Sequence, residues 1–250
     1  DGLPLLFWKN EWGDSKHDIT EEVKSFYMKT PFPNYDQDET SVSLREKATN
    51  QIYVQLLDDQ ISYTGKILEV GCGTGQLSNL LAMTKTRTVL GTDLSVNSLK
   101  LANKFREKNR IRNLKFIQMN LFQPVFKAEM FDVVICNGVL HHTSDPFGGF
   151  QSISKLVKKG GYIIIGLYNK YGRIFTDIRR YIFTITGDSL TSLDPRIGSK
   201  NFSPYKKHTW FMDQYKNPHE SKHTFDDVIN WFEKTGFEFV NSIPNISGKP

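Results

Sequence analysis

Gly71, Gly73 and Gly75 alternate with Cys72 and Thr74 directly after the run Ile67-Leu68-Glu69-Val70, and Gln76 leads into a helical pattern, Leu77-Ser78-Asn79-Leu80-Leu81-Ala82. A strand, a glycine turn and a helix in that order aim free backbone N–H groups and the positive end of a helix dipole at one point. The glycines permit φ > 0 and let a ligand approach the main chain closely. Eighteen residues past Gly75, the run Thr88-Val89-Leu90-Gly91-Thr92 ends in Asp93, whose carboxylate can accept both hydroxyls of a ribose. This spacing suits the holding of a nucleoside. A dinucleotide fingerprint needs a third glycine at position 76, where Gln76 stands, so a nicotinamide oxidoreductase is disfavoured.

His141 and His142 follow Gly138-Val139-Leu140. A histidine of near-neutral pKa is the natural base for a phenol, hydroxyl or thiol. Either ring can instead hold the loop by a hydrogen bond or lie at the surface; of the two, His142 is preferred as the catalytic group. His219 and His223 stand four residues apart, a metal-binding spacing on a helix, but Pro218 and the lack of a third ligand argue against one, so no metal site is expected.

These residues need elements to position them. The runs at Ile67–Val70 and Thr88–Asp93 are followed by Phe116-Ile117-Gln118-Met119-Asn120-Leu121, Phe131-Asp132-Val133-Val134-Ile135-Cys136-Asn137 and Tyr162-Ile163-Ile164-Ile165-Gly166, with helical patterns between them. Such alternation implies parallel strands joined by crossovers. Asn97–Lys108 reads as one crossover helix, and Asp145-Pro146 opens another that runs to Lys158. Ile19–Tyr27 reads as a short helix capped by Thr20, and residues 43–60 as a second, with apolar positions at 44, 48, 52, 56 and 57. Thr224 caps a helix that stops at Gly236, and Phe237–Ile243 reads as a sixth strand. Residues 168–223 form an aromatic-rich insertion, with Ile174, Ile178, Tyr181, Ile182 and Ile185 at helical spacing. The division is residues 1–60, an N-terminal lid; 61–167, a nucleoside-binding core; 168–223, a helical cap; and 224–250, a helix and strand completing the core.

The ordered set of motifs resembles the class I S-adenosylmethionine (SAM) methyltransferases, of the type 11/12-like kind. Glu69-Val70-Gly71-Cys72-Gly73-Thr74-Gly75 is similar to their first motif. The loop Gly138-Val139-Leu140-His141-His142 resembles that of quinone-biosynthesis-type small-molecule methyltransferases. The resemblance implies an α/β, Rossmann-like, doubly wound and mostly parallel sheet, with lid helices before it and a cap after strand five. It implies SAM as cofactor and S-adenosylhomocysteine as product. Gly71, Cys72, Gly73, Gly75 and Gln76 would face the methionine and ribose portion, and Asp93 the ribose hydroxyls. Leu94 would flank the adenine, with Asn120 and Leu121 at its edge. Asn120 stands where the family often has Asp, but its amide oxygen can accept the same bond. Glu69 and Asn137 would serve the amino group of the methionine. Tyr27, Phe32 and Tyr35 are lid candidates, and Tyr168, Asn169, Tyr171, Tyr215 and His219 acceptor contacts. The family adds a seventh, antiparallel strand, and residues 244–250 are too few for a turn and a strand. Asp1–Leu6 is similar to the closing strand of a zinc-ribbon module that precedes some methyltransferases. No cysteine pairs accompany it, so either the match is accidental or an upstream segment is missing.

The chain's 250 residues allow one substantial core. No apolar run approaches the roughly 20 residues of a membrane span. Two cysteines, Cys72 and Cys136, cannot build a disulfide framework, so a cytoplasmic home is expected. The net charge is +5, with Lys100, Lys104, Arg106, Lys108, Arg110 and Arg112 clustered on and after one helix. A solvated helix face accounts for the cluster better than nucleic acid does. The leading expectation is a methyltransferase for a small, partly apolar or aromatic acceptor, monomeric or homodimeric. An RNA methyltransferase using residues 100–112 and a non-catalytic SAM-binding domain are the alternatives.

Overall fold

The computed structural model describes residues 2–12, 18–36, 38–200 and 202–244. The strands are β1 (Leu5–Leu6), β2 (Lys66–Val70), β3 (Thr88–Asp93), β4 (Leu114–Met119), β5 (Phe131–Asn137) and β6 (Val157–Gly166). They lie in the order β1-β4-β3-β2-β5-β6 with every neighbouring pair parallel. The chain therefore winds outward in one direction from β2 through β3 to β4, and in the other through β5 to β6. Ligands of such sheets bind where the winding reverses, beyond the carboxyl ends of β2 and β5.

Successive strand residues feed opposite layers. Ile67 and Val89 join Leu81, Leu99 and Ala102 of α4 (Gln76–Leu81) and α5 (Val96–Lys108) on one face. Leu68 and Val134 join Phe150, Ile153 and Trp231 of α6 (Pro146–Ser154) and α10 (Phe225–Thr235) on the other. Phe150 is wholly buried among Trp231, Phe232 and Phe237, and truncating it to alanine should cost about 3–5 kcal/mol.

The N-terminal region holds α1 (Thr20–Lys29), α2 (Ser41–Thr49) and α3 (Ile52–Gln60). The single helix expected over 43–60 is thus two. Asn50 ends the first by donating its side-chain amide to the Glu46 carbonyl, and Gln51 is extended. Thr20 is not a cap but the first helical residue; its N–H is received by Asp18 instead. Leu5 and Leu6 pair in parallel with Gln118 and Met119, so this segment is an edge strand of the main sheet. The cap comprises α7 (Ile174–Ile185), α8 (Pro195–Gly198) and α9 (Pro204–Tyr215). Asp145 and Thr224 cap α6 and α10 as expected.

The sixth strand expected at Phe237–Ile243 is not formed. Gly236 ends α10 in a left-handed conformation, after which Phe237 turns back onto Phe150 and Phe239 packs against Phe225 of the same helix. Val240 remains 73% exposed, and β6 is the sheet's edge among the described residues. No helix among them is long and apolar enough to cross a membrane.

Candidate active site

The turn after β2 is built by positive φ at Gly71 (68°), Gly73 (53°) and Gly75 (73°). A side chain at Gly71 would collide with Val139, and one at Gly73 with the main-chain oxygen of Phe32. Asp93, at the tip of β3, accepts from the Gly73 N–H at 2.8 Å and the Ser95 N–H at 2.8 Å. Glu69 is buried and accepts from the Ser78 hydroxyl. Burial pushes the Glu69 carboxyl up to about 7 and the Asp93 carboxyl up to about 6, because neither is paired with a cation that would offset its desolvation.

Both carboxylates open onto a cavity of about 440 Å³ at the carboxyl ends of the strands. Gly71, Cys72, Gly73, Gln76, Leu94, Asn120, Leu121 and Asn137 line it as well. Gly75 does not; it lies behind the turn, against Ala102 and Phe116. Asn120 spends its amide N–H groups on the Trp8 carbonyl (2.9 Å) and Asn10 (2.7 Å), and its oxygen receives the Phe122 N–H. The N-terminal segment covers the turn with main-chain oxygens: Thr74 donates to the Pro33 carbonyl and Gln76 to that of Asn34 at 3.0 Å.

Tyr27, His142 and Tyr168 line the same cavity. His142 Nδ1 lies 2.7 Å from the His219 carbonyl oxygen. Burial pulls the His142 pKa down, opposed by that hydrogen bond and by the Asp213 and Glu220 carboxylates nearby. His141 is placed differently. It is buried outside the cavity lining, stacked on Tyr168 at 3.8 Å, with both ring nitrogens unbonded; burial pulls its pKa down to about 2. His219 contributes its carbonyl rather than its ring. Tyr35 stacks on Phe105 at 4.5 Å and receives a bond from Asn79. Tyr171 is 68% exposed, and Tyr215 is turned to Asp194 at 2.7 Å and to Phe183. None of these three lines the cavity.

Asp213 and Gln214, two polar lining residues from the cap, escaped the sequence reading. Asp213, on α9, accepts from the Tyr27 hydroxyl at 2.9 Å and from Gln214 at 2.8 Å. Gln214 also donates to the Tyr168 hydroxyl at 2.9 Å. An acid inside the aromatic run Trp210-Phe211-Met212-Asp213-Gln214-Tyr215 was the available signal. Behind them a buried pair, Arg173 with Glu220 at 2.5 Å, ties the cap to the strand-six loop. Among the described residues no cluster of three metal-ligating side chains occurs.

The basic cluster sits elsewhere. It runs down α5 to Arg112, just before the amino end of β4, so it lies at the opposite end of the sheet from the cavity. Arg106 and Lys108 also donate to the Leu114 and Glu39 carbonyls.

A family model described as a methyltransferase domain matches residues 61–230. An uncharacterised Synechococcus protein is 25% identical over 198 residues, covering 70% of this chain and 48% of that protein. A ubiquinone biosynthesis O-methyltransferase of Coxiella burnetii is 28% identical over 139 residues, covering 55% of this chain and 56% of the relative. The chain thus spans about half the length of these curated relatives. In fold it is similar to magnesium protoporphyrin IX methyltransferase from Synechocystis with bound S-adenosylhomocysteine. That comparison has a TM-score of 0.58 and 18% identity, covering 90% of this chain and 91% of that one. PKMT2 from Rickettsia typhi, in complex with the same product, is similar at a TM-score of 0.56 and 17% identity, with coverages of 69% and 39%. With its glycine turn, parallel strand order and match over residues 61–230, the chain belongs to the methyltransferase-domain family, of the class I SAM-dependent kind.

Proposed function

We propose that this chain transfers a methyl group from SAM to a small, partly apolar or aromatic acceptor, with His142 as general base. The observation that carries the reading is the 2.7 Å contact between His142 Nδ1 and the His219 carbonyl. A carbonyl only accepts, so Nδ1 bears the hydrogen and Nε2 keeps the lone pair of the neutral ring. Burial favours that neutral form, which is the form a base needs.

The residues present fit the cofactor. Two carboxylates without cationic partners, Glu69 buried and Asp93 half-buried, suit a ligand that brings a positive charge and several O–H and N–H donors. Asp93 would hold the ribose hydroxyls, Glu69 and Asn137 the methionine amino group, and Leu94 and Leu121 the adenine faces. The oxygen of Asn120 retains a lone pair for the adenine edge. The bound sulfonium supplies an already activated methyl group, so the protein's work is to orient, desolvate and deprotonate. The acceptor proton would pass to His142 Nε2 as the acceptor bonds the methyl group and the methyl–sulfur bond breaks, leaving S-adenosylhomocysteine as a neutral thioether. The Asp213 and Glu220 carboxylates ease the charge on the resulting imidazolium.

Calorimetry with S-adenosylhomocysteine tests this. Wild-type protein should bind with a Kd of roughly micromolar order. Asp93→Ala, which removes a charged hydrogen-bond acceptor, should weaken binding by about tenfold to a hundredfold or more. No heat from folded wild-type protein would overturn the reading.

A further inference from the structure

Helix α7 is amphipathic with its apolar face turned outward. Ile174, Phe175, Ile178, Tyr181, Ile182 and Ile185 fall at i, i+1, i+4, i+7, i+8 and i+11, one continuous stripe of a 3.6-residue helix. The opposite side is the one that packs inward: Phe183 is buried against Phe211 and Tyr215. On the stripe, Phe175 is 73% exposed, Tyr181 69% and Ile185 65%. Leu190 and Leu193, beyond the end of the helix, are exposed as well.

Scattered exposed hydrophobics need no explanation, whereas a contiguous patch of this size marks an interaction surface. An aromatic side chain covers roughly 150–250 Å² when buried, so Phe175 and Tyr181, 73% and 69% exposed, offer on the order of 300 Å², and the four isoleucines of the stripe add to it. Each partner contributes roughly 800 Å² to a stable protein interface.

We infer that this face pairs with the same face on a second copy of the chain, forming a two-fold dimer across α7. An isologous contact needs a self-complementary surface, and an uncharged ridge of isoleucine and aromatic residues meets that need. The charges of the helix favour a protein partner over an anionic membrane. Asp177 is matched by Lys222 at 2.6 Å, Arg180 by Glu220 at 2.7 Å, and Arg179 lies beside the Tyr215 hydroxyl. Of the two basic residues on the helix, Arg180 is thus paired with an acid and Arg179 stands beside a hydroxyl, whereas interfacial helices border their apolar face with many Lys and Arg. The pairing also reaches the cavity. Arg173, the residue preceding α7, lies over the Tyr168 ring at 3.8 Å and holds Gln214 at 2.6 Å, so a partner that immobilises α7 steadies two lining residues. This inference stands apart from the methyl-transfer reading and needs neither cofactor nor acceptor.

Sedimentation velocity on the 250-residue chain at tens of micromolar should give twice the chain mass. Ile178→Glu, on the exposed stripe, should raise the dimer dissociation constant at least tenfold and leave the circular dichroism unchanged. Tyr181→Lys should act in the same way, and Thr184→Glu, off the stripe, should leave the dimer intact. A wild-type chain that sediments as a monomer would overturn the inference. So would a dimer untouched by both stripe variants, or a monomer that cosediments with phosphatidylglycerol vesicles.

Discussion

His142 Nδ1 meets the carbonyl oxygen of His219 at 2.7 Å, across 77 residues of chain. The bond joins the loop after β5 to the far end of the cap and fixes which ring nitrogen can take a proton. Replacing His142 with alanine should lower the turnover of methyl-labelled SAM with a hydroxylated aromatic acceptor by about 10²-fold or more. The heat of S-adenosylhomocysteine binding should stay within a factor of a few of wild type. Unchanged turnover would remove the ring from the reaction.

Gly73 and Gly138 separate backbone strain from collision. Both have positive φ, 53° and 78°, but only at Gly73 would a side chain strike the lid, at the Phe32 carbonyl. Gly138→Ala should carry the conformational cost alone, about 1–2 kcal/mol. Gly73→Ala should lower the melting temperature further, by several degrees more. Equal melting temperatures for the two variants would mean that the lid does not rest on the turn.

The two cavity carboxyls give the ligand-free protein a distinctive pH response. A carboxyl with a folded pKa above its unfolded value binds its proton more tightly when folded. Its contribution to stability is therefore greatest below the unfolded pKa and is lost as the pH rises to the folded one. For Asp93 that window is 3.8 to about 6, and for Glu69 it is 4.5 to about 7. At about 1.4 kcal/mol per unit, these groups remove on the order of a few kcal/mol between pH 4 and 7. Thermal melts should show this fall, reduced in Glu69→Gln. Saturating S-adenosylhomocysteine should recover part of it, since its donors favour the ionised carboxylates. A flat profile across the window would show that burial does not perturb these groups.

The cavity lining around the glycine turn was legible in the sequence because its parts are local. Glu69, the glycines and Asp93 sit at the ends of buried parallel strands, which read as unbroken apolar runs. The lining that the cap supplies was not, because it depends on which face a distant helix presents. Tyr215 drew attention as an aromatic, but Asp213 stands two positions earlier, about 200° away around the helix. On α9 both are buried, Asp213 lining the cavity and Tyr215 turned to Phe183 and Asp194. The same limit applies to α7, whose periodicity marks an apolar stripe but not the side that it faces. Phe237–Ile243 read as a sixth strand, yet its aromatics found partners on α6 and α10. The role of His219 lies in its main chain, which residue type does not reveal.

Residues 5–12 and 18–34 form a belt buckled at several points around the rim of the sheet. Leu5 and Leu6 are fastened to β4, Trp8 and Asn10 to Asn120, Tyr27 and Met28 to Ser95 and Asn97, and Pro33 and Asn34 to the glycine turn. Most of these fastenings are main-chain oxygens, so the belt's grip depends little on which side chains it carries. A ligand entering or leaving the hollow beneath would have to undo part of that buckle. Opening of the belt should then set the pace of ligand exchange.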